Sequence, residues 1–264
     1  MRSLLSILLV MVSVASVYAR SNCDVYADSA AAVVKADTAA GVNPYRFSWK
    51  QLIVPGTLIG AGTVGMEAGW FKGLNGKVNP TDASESVSPT PVDDIIQYAP
   101  VAGIYALKLC GVPSRHDYVE TSLILAMAWG MGVIAVQTAK HTFKVWRPDG
   151  SSYDSFPSGH SATVFMGAEL LRREFAGTNP WIGYSGYAVA IATGALRVHH
   201  NRHWLTDVLA GAGIGILSAR AAYWLYPVLT KHLLPGLYRR NVYLSACAAP
   251  GGMALSMQIP IGWR

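Results

Sequence analysis

"SFPSGHSATVFMGAELL" (residues 155–171) places a proline, a serine, a glycine and a histidine directly ahead of an apolar, helix-like run. Its apolar residues are spread over most of the helix surface, so such a helix needs neighbours on nearly every side. Two readings of its start are open. In the first, Pro157 and Ser158 simply begin the helix, because proline suits the first turn and serine caps free N–H groups. In the second, the helix N-terminus, with unpaired amides and a partial positive charge, faces an anion. His160 would then stand beside that anion as a proton donor.

Working outward, five further runs show the same character: "LIVPGTLIGAGTVGM" (52–66), "IIQYAPVAGIYALKL" (95–109), "TSLILAMAWGMGVIAVQTA" (121–139), "PWIGYSGYAVAIATGAL" (180–196) and "DVLAGAGIGILSARAAYWLY" (207–226). Their linkers are short. One exception is "FKGLNGKVNPTDASESVSPTPVDD" (71–94), which is rich in turn formers and reads as a loop. Strand alternation competes only near the end, where "VYLSACAAPGGMALSMQIPI" (242–261) predicts a small hairpin turning at Pro250-Gly251-Gly252. The expected fold is all-α: a bundle of five to six core helices, embedded partly or wholly in a membrane, with a small C-terminal hairpin. No internal repeat or low-complexity tract is visible.

The chain is 52% hydrophobic and 14% charged, against roughly a quarter charged in ordinary soluble domains. Its formal charge of +6 suits anionic partners without naming one. Residues 1–19, "MRSLLSILLVMVSVASVYA", read as a secretory signal peptide, with Arg2 in the n-region and Val17 and Ala19 before the cut. Residues 20–48 form an Ala-rich N-terminal segment, 49–231 the helical domain and 232–264 a tail. Cys23, Cys110 and Cys247 lie far apart and make no disulfide framework. By length and lack of charge, 121–139 and 179–196 qualify as membrane spans, whereas Lys108, Glu169 and Arg220 interrupt the other runs. If every run from residue 52 crossed a membrane after a cleaved signal, residue 140 would end up inside.

Five of the seven histidines fall between residues 140 and 207, together with Lys140, Lys144, Arg147, Arg197 and Arg202. Charges are costly in an apolar bundle unless compensated, and a bound phosphate would compensate these. In "KHTFKVWRP" (140–148), Lys140 and Arg147 are two helical turns apart on one face, with Lys144 on the same face and Pro148 ending the helix. In the opening stretch Ser158 offers a hydroxyl, Gly159 lets backbone approach an anion, and His160 brings a proton. In "RVHHNRHWLTD" (197–207), Asn201 is expected to cap a helix from Arg202, stacking His203 on Asp207 at i and i+4. A carboxylate on one ring nitrogen leaves the other to attack.

Lys140-x6-Arg147-Pro148, Pro157-Ser158-Gly159-His160 and Arg197-x5-His203-x3-Asp207 together resemble the three-part signature of type 2 phosphatidic acid phosphatases. Vanadium haloperoxidases and bacterial class A acid phosphatases share it. The resemblance covers roughly residues 50–230. One departure is Leu196, where the family's third motif usually has serine. "RPDGSSYDSFPSGHSATVFMGAELL" (147–171) and "NRHWLTDVLAGAGIGILSARAAYWLYP" (201–227) look further like periplasm-facing lipid phosphatases of Gram-negative bacteria, those acting on lipid A among them.

The resemblance implies a phosphomonoesterase that removes phosphate from a lipid of the phosphatidate, undecaprenyl diphosphate or lipid A type. The alternative is a soluble periplasmic acid phosphatase acting on small esters. By the same resemblance, Lys140, Arg147, Ser158, Gly159 and Arg197 hold the phosphate, His203 attacks it, Asp207 orients His203 and His160 protonates the leaving oxygen. No cofactor or metal is expected, the partner is a phosphorylated lipid with membrane association, and no nucleic acid is involved. The protein is expected to be exported, either to the inner membrane with its site facing the periplasm or to the periplasm itself. Rival readings are a zinc site on His199, His200 and His203, a vanadate-dependent oxidation on the same scaffold, and a non-enzymatic membrane scaffold. Substrate choice is expected to lie in "DGSSYDSF" (149–156) and residues 70–94.

Overall fold

The computed structural model describes residues 45–68, 73, 75, 76, 92–233, 243–249 and 252–258. The expected signal peptide and most of the segment after it lie outside these residues. Among the described residues the chain forms helices α1 (Lys50–Glu67), α2 (Val92–Ile96), α3 (Ala99–Leu109), α4 (Tyr118–Phe143), α5 (Gly159–Glu174), α6 (Pro180–His199) and α7 (Leu205–Leu233). Strands β1 (Tyr243–Ala249) and β2 (Gly252–Gln258) pair antiparallel with Ala249 opposite Gly252, the hairpin that the sequence predicts.

Local signals start the helices where they should. Asp117 caps α4 by accepting from the Glu120 amide at 2.7 Å. Asn179 caps α6 through the Trp181 amide at 3.0 Å, with Pro180 in the first turn. Helices α5 and α7 form the central pair; α3, α4 and α6 pack on α5, and α1 and α4 on α7. A Cβ on Gly215 would lie 2.2 Å from the Ala162 carbonyl oxygen, and one on Gly211 2.4 Å from that of Ser158. Bare glycine backbone therefore brings α7 directly onto the first turns of α5, which fixes the beginnings of both helices side by side.

The helices alternate in direction. Gln51, at the start of α1, meets Arg173 near the end of α5 and Arg220 in the second half of α7. Gly62, near the end of α1, meets Thr206 and Ala210 at the start of α7. The end of α4, the starts of α5 and α7, the end of α6 and the short α2 are thus gathered at one end of the bundle. The opposite end carries the core cluster of Ile104, Ile124, Leu171, Phe175 and Tyr223.

The charges that interrupt the apolar runs are paired inside the bundle. Lys108 and His116 both reach Glu174, at 3.4 and 2.6 Å. Glu169 takes Arg172, Arg173 and Arg220. Among the described residues two helices, Tyr118–Phe143 and Leu205–His232, are long and apolar enough to cross a membrane. The first agrees with the expected 121–139 span. The second replaces 179–196, because α7 continues through Pro227 while its Arg220 turns inward to Glu169. Helix α4 leaves Trp129, Val133, Ile134 and Phe143 largely exposed, an apolar stretch of its surface.

Candidate active site

Three segments meet at the α5 start. Ser158 is the N-cap of α5: its Oγ accepts from the Ser161 amide at 3.4 Å and from the Ser161 hydroxyl at 3.0 Å. The ordinary capping reading therefore holds, and it leaves the hydroxyl's own proton for an anion. The Ser158 N–H is bonded to the Asp207 carbonyl at 3.0 Å, which ties α5 to α7. A Cβ on Gly159 would meet nothing nearer than Val136 Cγ1 at 3.9 Å, so the first turn opens onto space.

The third motif does not form as expected. Asn201 is not a cap; it takes a left-handed φ of 53°, a turn that asparagine tolerates, and α7 begins only at Leu205. His203 precedes the helix and Asp207 lies in its first turn. The closest partner of His203 Nδ1 is the Ser155 carbonyl at 2.8 Å, and the Asp207 carboxylate is at 3.5 Å. A carbonyl accepts only, so Nδ1 carries the proton and the lone pair lies on Nε2. Asp207 Oδ2 accepts from the Ser155 hydroxyl at 2.5 Å and the Trp204 amide at 2.8 Å. Serine 155, which the sequence reading missed, thus orients both the imidazole and its carboxylate.

Burial pushes the His203 pKa down to about 4; Asp207 opposes the shift, and Arg197 and Lys140 add to it. Those two cations therefore act on the same ring from two other helices. Arg197 is buried near the end of α6.

The first motif also departs from its helical reading. Helix α4 ends at Phe143 because Lys144 turns left-handed, with φ 46°, and Arg147 sits in the loop beyond. Lys144 points to solvent. What joins Lys140 to Arg147 is Asp154. Arg147 donates to its carboxylate at 3.0 and 3.2 Å, and Lys140 bonds its carbonyl and lies 3.8 Å from its carboxylate. Desolvation raises the Asp154 pKa, but the Ser152 hydroxyl, Lys140 and Arg147 outweigh it and bring the group down to about 2. The loop is pinned to the third motif by Trp204 Nε1 on the Trp146 carbonyl at 2.8 Å and by Arg202 on Asp149 at 3.5 Å.

His160 Nε2 meets Asp94 Oδ1 at 2.7 Å, and the same oxygen is 3.8 Å from Arg197 Nη1. Asp94 lies on α2, in a stretch the sequence presents as loop. Next to His160 a groove of about 280 Å³ runs between α4 and α5, lined by Tyr98, Trp129, Val133, Val136, Gln137 and Thr163. Among the described residues no group of three or more His, Cys, Asp or Glu side chains is arranged to hold a metal ion.

With Lys140, Arg147, Ser158, Gly159, His160, Arg197, His203 and Asp207 at one end of the bundle, the match to known proteins covers all eight positions. Residues 121–231 match the PAP2 superfamily. The chain is also 37% identical over 147 residues to a lipid A 1-phosphatase of Porphyromonas gingivalis, covering 54% of this chain and 32% of that protein. The chain therefore matches about a third of the length of that curated relative. Similar solved structures include LpxE of Aquifex aeolicus, at 22% identity and a TM-score of 0.41, covering 57% of this chain and 93% of that one. A second is a PAP2-type phosphatidylglycerolphosphate phosphatase of Bacillus subtilis, at 17% identity and a TM-score of 0.46, covering 68% and 97%. Asp94 and all of α1 lie outside the PAP2 match, whereas Asp154 and Ser155 lie inside it.

Proposed function

We propose that the chain is a metal-independent lipid phosphatase acting through a phosphohistidine on His203. The observation that carries this reading is the buried His203 with Nδ1–H on the Ser155 carbonyl, in the field of Arg197 and Lys140. Lys140, Arg147 and Arg197, with the Ser158 hydroxyl and the Gly159 amide, hold the phosphate oxygens. Preplaced charge of this kind supplies much of the catalysis in phosphoryl transfer. The Nε2 lone pair forms the P–N bond as the P–O bond to the lipid alcohol breaks, and His160 gives the departing oxygen its proton. Asp207 balances the positive charge that develops on His203. Water then attacks phosphorus, the P–N bond breaks, and His160 takes the water's proton as inorganic phosphate leaves.

The lateral groove favours a lipid over a small ester. It begins at His160, where the leaving group departs, and its wall on α4 carries the exposed apolar side chains of Trp129 and Val133. The chain is read as exported, with the site on the periplasmic side and the α4 face in lipid. A cleaved signal together with six full crossings would instead turn the site to the cytoplasm, so this reading goes with a partly immersed bundle. Purified protein is expected to release phosphate from at least one of phosphatidate, phosphatidylglycerophosphate, undecaprenyl diphosphate and lipid A, and faster than from a short-chain phosphate ester. A preference for the short ester would favour the soluble acid phosphatase instead.

The His203 environment also sets a pH dependence. An ordinary histidine titrates near 6.5. With its folded pKa lowered to about 4, His203 stays neutral and nucleophilic well into acid. The acid limb of kcat/KM, corrected for the substrate's own ionisation, is expected near pH 4. Between about 4 and 6.5 the folded state binds fewer protons at His203 than the unfolded state does, so its contribution to stability grows as pH rises through that window and is lost on acidification. An acid limb centred near 6.5 would contradict a buried, neutral nucleophile.

A further inference from the structure

The carboxylate of Asp94 contacts two of the residues assigned above, His160 on α5 and Arg197 on α6, from a helix outside the PAP2 match. The side chain of Asp94 is 66% exposed. Ion pairs that exposed contribute about 0–1 kcal/mol to stability, so holding the fold together does not explain its placement. The turn that carries it is nevertheless well fixed. Gln97, which is buried, donates to the Asp94 carbonyl at 2.8 Å, and Ile96 packs on the cluster of Val164, Ala168, Val189 and Ala190 shared by α5 and α6. Two well-packed helices thus hold an exposed carboxylate over the ring that serves the leaving group.

We propose that Asp94 is the positioning residue for His160, an inference that rests on the phosphatase reading. With Nε2–H engaged by the carboxylate, the leaving oxygen is served from the opposite ring nitrogen, Nδ1. In the first half-reaction Nδ1–H passes to the alkoxide oxygen as the P–O bond breaks, leaving a neutral ring whose Nε2–H still rests on Asp94. In the second half-reaction Nδ1 takes a proton from the attacking water as the P–N bond breaks, restoring the imidazolium beside its carboxylate. The arrangement mirrors that of His203, where a fixed acceptor on one nitrogen decides what the other does. Asp94 also lies beside Arg197, so one carboxylate aligns the acid with a cation that holds the phosphate.

The test exploits the leaving group. An alkoxide needs a proton to depart, whereas a nitrophenolate does not. Asp94→Asn is expected to lower kcat on dioleoyl phosphatidate in mixed micelles by about 10- to 100-fold, the usual cost of losing an orienting partner. In the pre-steady-state burst of nitrophenolate from p-nitrophenyl phosphate, which reads only the first half-reaction, the same variant should lose less than about threefold, since protonation of the leaving group hardly matters there. Asp94→Glu should recover part of the loss, and adding Asp94→Asn to His160→Ala should cost nothing more. Equal losses on both esters, or no loss on the phosphatidate, would overturn the role of Asp94 while leaving the phosphatase intact. So would a gain in rate with tighter inhibition by inorganic phosphate, which would show that Asp94 competes with substrate. Absence of phosphate release by the wild-type protein from either ester would overturn the phosphatase reading and this inference together.

Discussion

Alanine in place of His203 is expected to lower phosphate release by about 10⁴- to 10⁶-fold, the scale seen when a covalent nucleophile is removed from a site that keeps its binding groups. In the proposed mechanism the residual rate would come from Lys140, Arg147 and Arg197, the groups assigned to hold and polarise the phosphate. His203 is 2% exposed, so the alanine variant also leaves the Ser155 carbonyl without its donor, at about 1–3 kcal/mol. His203→Asn separates the two effects. Its side-chain amide still donates to Ser155, but it offers no nucleophile. Both variants should be inactive, with the asparagine protein melting closer to the wild type. Quenching turnover with radiolabelled phosphate ester should leave acid-labile, alkali-stable label on wild-type protein and none on the asparagine variant. Near-normal turnover in either variant, or label retained by the asparagine protein, would remove His203 from the attacking position.

The parts of this site legible in the sequence are those whose chemistry follows from residue type and spacing. Pro157 through His160 ahead of an apolar run marks a helix start whether or not an anion is bound, and Ser158 is a cap in the structure as well. The apolar runs give the bundle, and Pro250 with the glycines after it gives the hairpin, because periodicity and turn chemistry are local properties. What stayed hidden was set by tertiary contact. Nothing local distinguishes Asp94 from Asp93, or Asp154 from Asp149; only the fold brings Asp94 to His160 and Asp154 to Arg147. The helical spacing of Lys140 and Arg147 suggested a shared face, yet Lys144 breaks the helix and a carboxylate supplies the convergence instead. Ser155 was invisible for a different reason: it acts on His203 through its backbone carbonyl, which every residue possesses. Arg220 and Glu169 looked like interruptions of membrane-crossing runs because a one-dimensional pattern does not show that they face each other.

That pairing leads to the largest expected effect on stability. Glu169→Ala should destabilise the protein by about 3–5 kcal/mol, the cost of removing one partner from a buried charge cluster. The Glu169 carboxylate is fully buried and accepts from Arg172 at 2.8 Å, Arg173 at 3.0 Å, Arg220 at 2.8 Å and the Tyr187 hydroxyl at 2.6 Å. Through Arg173 and Arg220 the cluster also reaches Gln51 on α1, so one carboxylate joins α1, α5, α6 and α7. Without it the guanidinium groups of Arg173 and Arg220 repel one another inside the bundle, where little water can screen them, with the more exposed Arg172 beside them. A cavity alone would predict a smaller cost and no response to the arginines. The two causes part in a combined variant: Glu169→Leu with Arg173→Leu and Arg220→Met removes the unbalanced charge and refills the volume, and should recover most of the loss, as apolar replacement of whole buried ion clusters commonly does. Thermal unfolding in detergent reads both proteins. A melting temperature for Glu169→Ala close to that of the wild type, or no recovery in the combined variant, would show that the cluster does not hold these four helices together.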